Sequence, residues 1–272
     1  MHTLPYQNYI FDLYGTLVDI HTDEDQPAAW AALARFYSYY GARYAPDELR
    51  AAYLAEVGRQ TAGREGLRRD SHEAHPEIEL AGVFQALFQA KGAPADKTLA
   101  VHAGQFFRAM TTGYLHLYDG VPQMLAMLRA KGGRLYLLSN AQAIFTAHEM
   151  RALGLADAFD AVYLSSDCGC KKPDRRFFRL LLDEQRLDPA RSIMVGNDPV
   201  CDAAGARDAG LDVLYVHSNL SPAGPLPEAT FVLPEMDIPR MGAILAGEVQ
   251  PARPAPPAPG RAEGSSTPSR RA

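Results

Sequence analysis

Asp12 stands where a short apolar run, Tyr9-Ile10-Phe11, gives way to Gly15-Thr16. A carboxylate at the carboxyl end of a buried strand can attack an electrophilic centre and carry the covalent product. Further groups fit the same chemistry: Ser139-Asn140 after Arg134-Leu-Tyr-Leu-Leu, Lys172 in Lys171-Lys172-Pro173, and Asp198 with Asp202 after Ser192-Ile-Met-Val-Gly. Gly15 permits a tight turn whose backbone amides face an anion. Thr16 and Ser139 add hydroxyl donors to the same anion. A lysine is a compact charge suited to pairing with both a nucleophilic carboxylate and an incoming anion. Each position alone has an ordinary reading, because Asp and Ser are common helix caps. Their shared placement at strand ends gives the chemical reading its weight.

Positioning these groups on one edge takes a parallel sheet. The strands expected are the run before Asp12, then Arg134 to Leu138, Ala161 to Ser166, Ser192 to Gly196 and Asp212 to His217, with an edge at Phe231-Val-Leu. Helices alternate with them at Val121 to Ala130, Ile144 to Leu153, Arg175 to Gln185 and Ala203 to Ala209. Alternation of this kind predicts an α/β, doubly wound parallel sheet with right-handed crossovers. The stretch from Thr22 to Tyr118 reads differently. Helical spacing recurs from Pro27, from Pro46, from Ile78 to Ala90 and from Leu99 to Tyr114, with no strand signal between. It is expected to be an inserted helical unit.

Asp12-Leu-Tyr-Gly-Thr16, Leu138-Ser139-Asn140, Lys172-Pro173 and Gly196-Asn-Asp198-Pro-Val-Cys-Asp202 together resemble the four signatures of the haloacid dehalogenase-like (HAD) hydrolase superfamily. The resemblance runs from about Tyr9 to Val216, with the helical insertion in the place of a type 1 cap. It implies a Rossmann-like core at residues 1–20 and 119–248, and a cap at residues 21–118. It further implies Asp12 as nucleophile, with Gly15, Thr16, Ser139, Asn140 and Lys172 around the transferred anion. Mg²⁺ would sit on Asp12, the Tyr14 carbonyl, Asp198 and Asp202, since that ion takes few carboxylates and keeps several waters. Asn197 is an alternative occupant of the Asp198 slot, because family members place either three or four residues between the two acids.

One departure from the pattern matters most. The usual second aspartate, a general acid and base worth about 10² to 10⁴ in rate, is Tyr14 here. A phenol with its ordinary pKa near 10 is no base at neutral pH. The leading expectation is a Mg²⁺-dependent phosphatase of modest activity acting on a small phosphorylated metabolite, with His21 as a candidate substitute base. The 2-haloacid dehalogenases share the Asp-Leu-Tyr-Gly-Thr form, expel halide without a proton and use no metal. They need an arginine for the substrate anion, for which Arg43 or Arg50 are candidates. A third reading is a phospho-ligand binder that has lost turnover. Cap residues Arg59, Arg64 and His72 are further candidates for an anionic substrate, while His72-Glu73-Ala74-His75 resembles a metal pair only loosely and Cys168 with Cys170 matches no usual zinc spacing.

The bulk of the chain narrows the field. Its 272 residues carry 27 basic and 32 acidic side chains, which leaves no footprint for nucleic acid. No apolar run reaches membrane-spanning length, and the start lacks the pattern of an export signal. Three cysteines are too few for a disulfide framework, so a reducing cytoplasm is expected. Residues 249–272 are expected to be a disordered tail, since from Pro251 to Ala272 the chain is rich in Pro, Ala and Arg and has no aromatic or branched aliphatic side chain. The oligomeric state is left open.

Overall fold

The computed structural model describes residues 5–65 and 77–249, with the side chains of 63–65 left aside. In chain order it contains β1 (Asn8–Phe11), β2 (Val18–Thr22), α1 (Pro27–Tyr39), α2 (Pro46–Glu65), α3 (Leu80–Gln89) and α4 (Lys97–Thr111). There follow β3 (Thr112–Leu117), α5 (Val121–Ala130), β4 (Arg134–Ser139), α6 (Ala143–Ala152), β5 (Ala161–Leu164) and α7 (Ser165–Cys168). The last elements are α8 (Arg175–Glu184), β6 (Ser192–Gly196), α9 (Gly205–Asp208), β7 (Asp212–Val216), β8 (Phe231–Leu233) and α10 (Ile238–Leu245).

Six strands form one sheet in the order β5-β4-β1-β6-β7-β8, and every neighbouring pair is parallel. The fold is therefore α/β, with helices flanking a parallel sheet. β1 lies between β4 and β6, and all four of its residues are buried, as a strand covered on both faces requires. Chain order reverses direction across the sheet at β1, where β4 lies to one side and β6 to the other. Ligands of open α/β sheets bind at the carboxyl edge of such a switch point. Tyr9, Phe11 and Val195 pack on one face of the sheet, whereas Ile10, Met194 and Phe178 pack on the other.

Four helices, α1 to α4, intervene between β2 and β3 and share an apolar cluster built on Trp30, Tyr37, Phe84, Phe88 and Phe107. Two residues of α6, Ile144 and Phe145, belong to that same cluster. Gly104 is where they fit: a Cβ there would lie 2.8 Å from Ile144 Cδ1 and from Phe84 Cε2. The inserted helices thus share their apolar interior with a helix that follows a strand of the main sheet.

Reading the span from Thr22 to Tyr118 as wholly helical is corrected by β2 and β3, which pair antiparallel with Val18 opposite Leu117 and His21 opposite Tyr114. α4 ends at Thr111 instead of running to Tyr114. Thr112, Tyr114 and Leu115 favour extended backbone, and pairing with β2 decides their state where helical spacing alone continued the pattern. A second difference lies after β6: the turn Pro199–Ala204 is a π-helix before the short α9, where one helix over Ala203 to Ala209 was expected. Residues 250–272 of the expected disordered tail, and His72 to His75, lie outside the described residues.

Candidate active site

The carboxyl ends of β1, β4 and β6 open on a cavity of about 220 Å³. Asp12, Tyr14, Ser139, Asn140, Lys172, Asn197, Asp198, Cys201, Asp202 and Leu220 line it. Asp12 is fixed by its own amide, which donates to the Val195 carbonyl at 2.9 Å and continues the β1–β6 pairing past the strand end. Next comes a tight turn in which the Leu13 carbonyl accepts from the amides of Leu17 at 2.8 Å and Val18 at 2.9 Å. Gly15 makes that turn possible with φ at +80°, and a Cβ there would drive into the Asn197 amide.

Lys172 is the hub. Its ammonium donates to Asp12 Oδ1 at 2.7 Å and to Asp202 Oδ1 at 2.6 Å, with the lysine 2% exposed. Burial works against its charge, but the two carboxylates outweigh that and raise the ammonium above its usual range. Asp202 is raised in turn by its burial, with Lys172 pulling the other way. Asn140 places the lysine: its Nδ2 donates to the Lys172 carbonyl at 2.9 Å, and its Oδ1 accepts the Lys172 amide at 2.7 Å. Both ends of the Asn140 amide are therefore committed to the backbone that carries the ammonium. Of the two adjacent lysines, Lys172 is the one brought to Asp12.

Asp198 and Asn197 do different work. Asp198 Oδ1 accepts from the amides of Val200 at 2.8 Å and Cys201 at 2.7 Å, capping the π-helical turn. The Asp198 amide donates to Asp202 Oδ2 at 2.9 Å, so Asp202 holds the start of that turn with one oxygen and Lys172 with the other. Gly196 is required beside it, since a Cβ there would overlap the Asp202 carboxylate. Asn197 is buried, accepts from Thr16 Oγ1 at 3.3 Å, and donates to Ser218 Oγ at 3.4 Å. Thr16 and Gly15 are buried and are not among the lining residues, whereas Ser139 lines the cavity directly. Cys201, in the lining, has its thiol pushed up to about 12 by burial and by Asp198 and Asp202, and is neutral near pH 7.

Tyr14 turns its hydroxyl to α6. The hydroxyl donates to Glu149 Oε2 and lies 3.0 Å from Thr146 Oγ1, and Arg108 of α4 donates to Glu149 Oε1 at 2.7 Å. Burial, then Glu149, raises the phenol beyond its ordinary range. Neither Arg108 nor Glu149 is singled out by the sequence, for a charged residue within an amphipathic helix carries no mark of its partner. The other cap candidates stay away from the cavity lining. Arg50 pairs with Asp25 at the surface, Arg59 pairs with Glu56, and Arg43 is exposed. His21 is exposed on β2, stacked on Tyr114 with ring centroids 5.8 Å apart. The Arg64 side chain and His72 lie outside the described residues.

A family model described as haloacid dehalogenase-like hydrolase matches residues 6–210, which include Asp12, Ser139, Lys172, Asp198 and Asp202. The chain belongs to the haloacid dehalogenase-like hydrolases. It is 35% identical over 141 residues to a phosphoserine phosphatase of Thermus thermophilus, covering 52% of this chain and 55% of that one. Against a glyceraldehyde 3-phosphate phosphatase of Methanothermobacter thermautotrophicus it is 32% identical over 129 residues, covering 47% and 57% respectively. The chain thus spans little more than half the length of these relatives. A 2-haloacid dehalogenase of Pseudomonas syringae superposes over 90% of this chain and 100% of its own with TM-score 0.62 at 20% identity, a likeness of fold. As a HAD-like hydrolase the chain places an acid at the end of β1, a lysine bound to it, and a second acid under the lysine.

Whether the residues suit the Mg²⁺ implied by the resemblance turns on the donor set. Asp12, Asp198 and Asn197 bring hard oxygens to one cavity, and Asp12 and Asp202 share a single ammonium. Among the described residues no cluster of three or more His, Cys, Asp or Glu side chains is arranged to hold a metal. What bears on the fit is the donor chemistry alone: the Asp12 and Asp198 carboxylates and the Asn197 amide oxygen suit an ion that keeps its waters and takes few protein ligands. Among the described residues, no helix is long and apolar enough to cross a membrane.

Proposed function

We propose that this protein is a Mg²⁺-dependent phosphomonoester hydrolase for a small metabolite, working through a phosphoaspartate on Asp12. The observation that carries the reading is the charge of the cavity, which among the described residues of its lining sets three carboxylates against one ammonium, with no arginine or histidine. An anionic substrate is repelled from such a site unless a divalent cation joins it. Asp12, the Tyr14 carbonyl and Asp198 would hold that cation, with Asp202 adding its charge. When bound, Mg²⁺ supplies electrostatic neutralisation of the phosphoryl oxygens. The names of the two relatives at 32% and 35% identity point the same way.

In the first step an Asp12 oxygen attacks phosphorus, the new P–O bond forms, and the bond to the leaving oxygen breaks. Lys172 and Ser139 hold the phosphoryl charge as it redistributes. The leaving oxygen departs with its electron pair and takes its proton from water, because the Tyr14 hydroxyl is committed to Glu149. Water then attacks the phosphoaspartate, which returns the Asp12 carboxylate and inorganic phosphate. A cavity of about 220 Å³ suits a small substrate. We place the protein in a reducing cytoplasm, and take its partner to be this small anionic molecule and not a nucleic acid or membrane.

The engaged Tyr14 hydroxyl favours a second reading, 2-haloacid dehalogenation, because halide leaves without a proton. Steady-state assays of an aryl phosphate and of 2-chloropropionate, each with Mg²⁺ or EDTA, separate the two. Phosphate release that needs both Mg²⁺ and Asp12 supports the first reading. Chloride release indifferent to EDTA supports the second, and Mg²⁺-dependent phosphate binding without turnover leaves a ligand-binding protein. Retention of activity in Asp12→Asn would overturn both catalytic readings.

A further inference from the structure

A buried ion pair joins the inserted helices to the residue beside the nucleophile. Glu149 on α6 and Arg108 on α4 have side chains only 10% and 16% exposed. One Glu149 oxygen accepts from Arg108 Nε at 2.7 Å, and the other accepts from Tyr14. The Arg108 guanidinium lies 5.3 Å from the centre of the Phe145 ring and 5.8 Å from that of Tyr14. Beside them Gln105 Nε2 donates to the Ile144 carbonyl at 3.1 Å. A second cavity of about 350 Å³ is lined by Arg108, Thr112, Phe145, His148 and Glu149, among others. Tyr14 lines the catalytic cavity while its hydroxyl is tethered to α6. Well-packed apolar residues would stabilise the α4–α6 contact at least as well as a buried ion pair does. What they could not supply is an acceptor for the Tyr14 hydroxyl.

We propose that Glu149 is a positioning residue: it holds the Tyr14 hydroxyl on α6, with Arg108 as its counter-charge, and so keeps the Tyr14 ring clear of the space above Asp12. The proposal rests on Asp12 being the nucleophile of a hydrolase. Tyr14 follows Asp12 by two positions and already lines the cavity, so a released ring turns into the volume that the substrate's leaving group must occupy. Glu149 then governs substrate access to the nucleophile without touching substrate.

A double-mutant cycle tests this. Glu149→Leu is made together with Arg108→Met, so that no buried charge is left alone, and the pair is crossed with Tyr14→Phe. Kinetics are measured with p-nitrophenyl phosphate and Mg²⁺, or with 2-chloropropionate if that is the compound turned over. The expected result is a rise in KM of about tenfold for the pair variant, with kcat altered by less than about threefold. Tyr14→Phe should show the same split, and adding the pair to it should change KM little. Effects that multiply independently, or a fall in kcat at constant KM, would overturn the proposal. A second readout needs no turnover. With 3-fluorotyrosine in place of tyrosine, the ¹⁹F resonance lost in Tyr14→Phe identifies Tyr14 among the 13 tyrosines. That resonance should move or broaden in the pair variant, and an unmoved one overturns the proposal. If neither phosphate nor chloride is released by wild type, the functional reading fails while the resonance still decides the positioning.

Discussion

Tyr14 sets the chemistry this site can perform. Its hydroxyl donates to Glu149 while burial and that carboxylate both disfavour the phenolate, so it stays protonated across the neutral range. A group that never ionises there cannot produce a limb in a pH–rate profile. Tyr14→Phe should therefore leave the shape of the kcat profile between about pH 6 and 9 unchanged, and a limb that vanishes in the variant would assign Tyr14 a proton-transfer role. The missing acid also predicts selectivity. Without a proton donor, esters whose alcohol is weakly basic should react faster than alkyl esters by about 10² to 10⁴. Tyr14→Asp should shrink that gap through faster alkyl ester turnover, while its melting temperature falls because a large half-buried side chain is lost. Rates across a series of phenyl and alkyl phosphates check both statements. Asp12 and Ser139 were legible because each sits at a strand end, where chain pattern predicts convergence, while Lys172 and Asp202, further along the chain from β5 and β6, owed their selection to the resemblance as well. Glu149 and Arg108 were not, since 41 positions separate them and neither helix marks which of its charges will be buried.

At the scale of elements, α6 ties the two parts of the chain together. Ile144 and Phe145 reach from it into the cluster of the inserted helices, and Gln142 at its start accepts the Leu80 amide at 2.9 Å. Phe145→Ala should cost about 3–5 kcal/mol of stability, as loss of a buried aromatic does. Denaturant unfolding would show it, and a cost below 1 kcal/mol would mean that the inserted helices are independent of α6. The turn after β6 depends on Asp198 in two separable ways. Asp198→Asn retains an oxygen for the amides of Val200 and Cys201, so the melting temperature should hold while more Mg²⁺ is needed for activity. Asp198→Ala loses the cap as well, at about 1 kcal/mol. Sequence resolved this level unevenly. The parallel strands were plain because each is a short apolar run between helices. β2 and β3 were hidden because Val18 to Thr22 and Thr112 to Leu117 are mostly exposed or half-buried, and each is extended through pairing with the other.

The molecule as a whole repels the substrate it is proposed to take. Its 32 acidic residues exceed its 27 basic ones, and the described lining of the cavity repeats the imbalance with three carboxylates to one lysine. Long-range attraction of an anion is therefore absent, and binding has to be created locally. A divalent cation does this most directly, because it reverses the sign of the site and offsets the repulsion among Asp12, Asp198 and Asp202 that folding brings together. Mg²⁺ should then stabilise the folded state even without substrate. At a hundred times its dissociation constant a ligand adds about 2.7 kcal/mol, which for a chain of this size raises the melting temperature by roughly 5–10 °C. Asp198→Asn should reduce the shift, and Asp12→Asn should reduce it as well as abolish turnover. Na⁺ at equal ionic strength should not reproduce it, since screening weakens repulsion without filling the site. Calorimetric scans with Mg²⁺, with EDTA and with added NaCl separate these effects. A melting temperature indifferent to Mg²⁺ would remove the charge argument for a metal-dependent phosphatase and leave the metal-free displacement of halide as the chemistry to pursue.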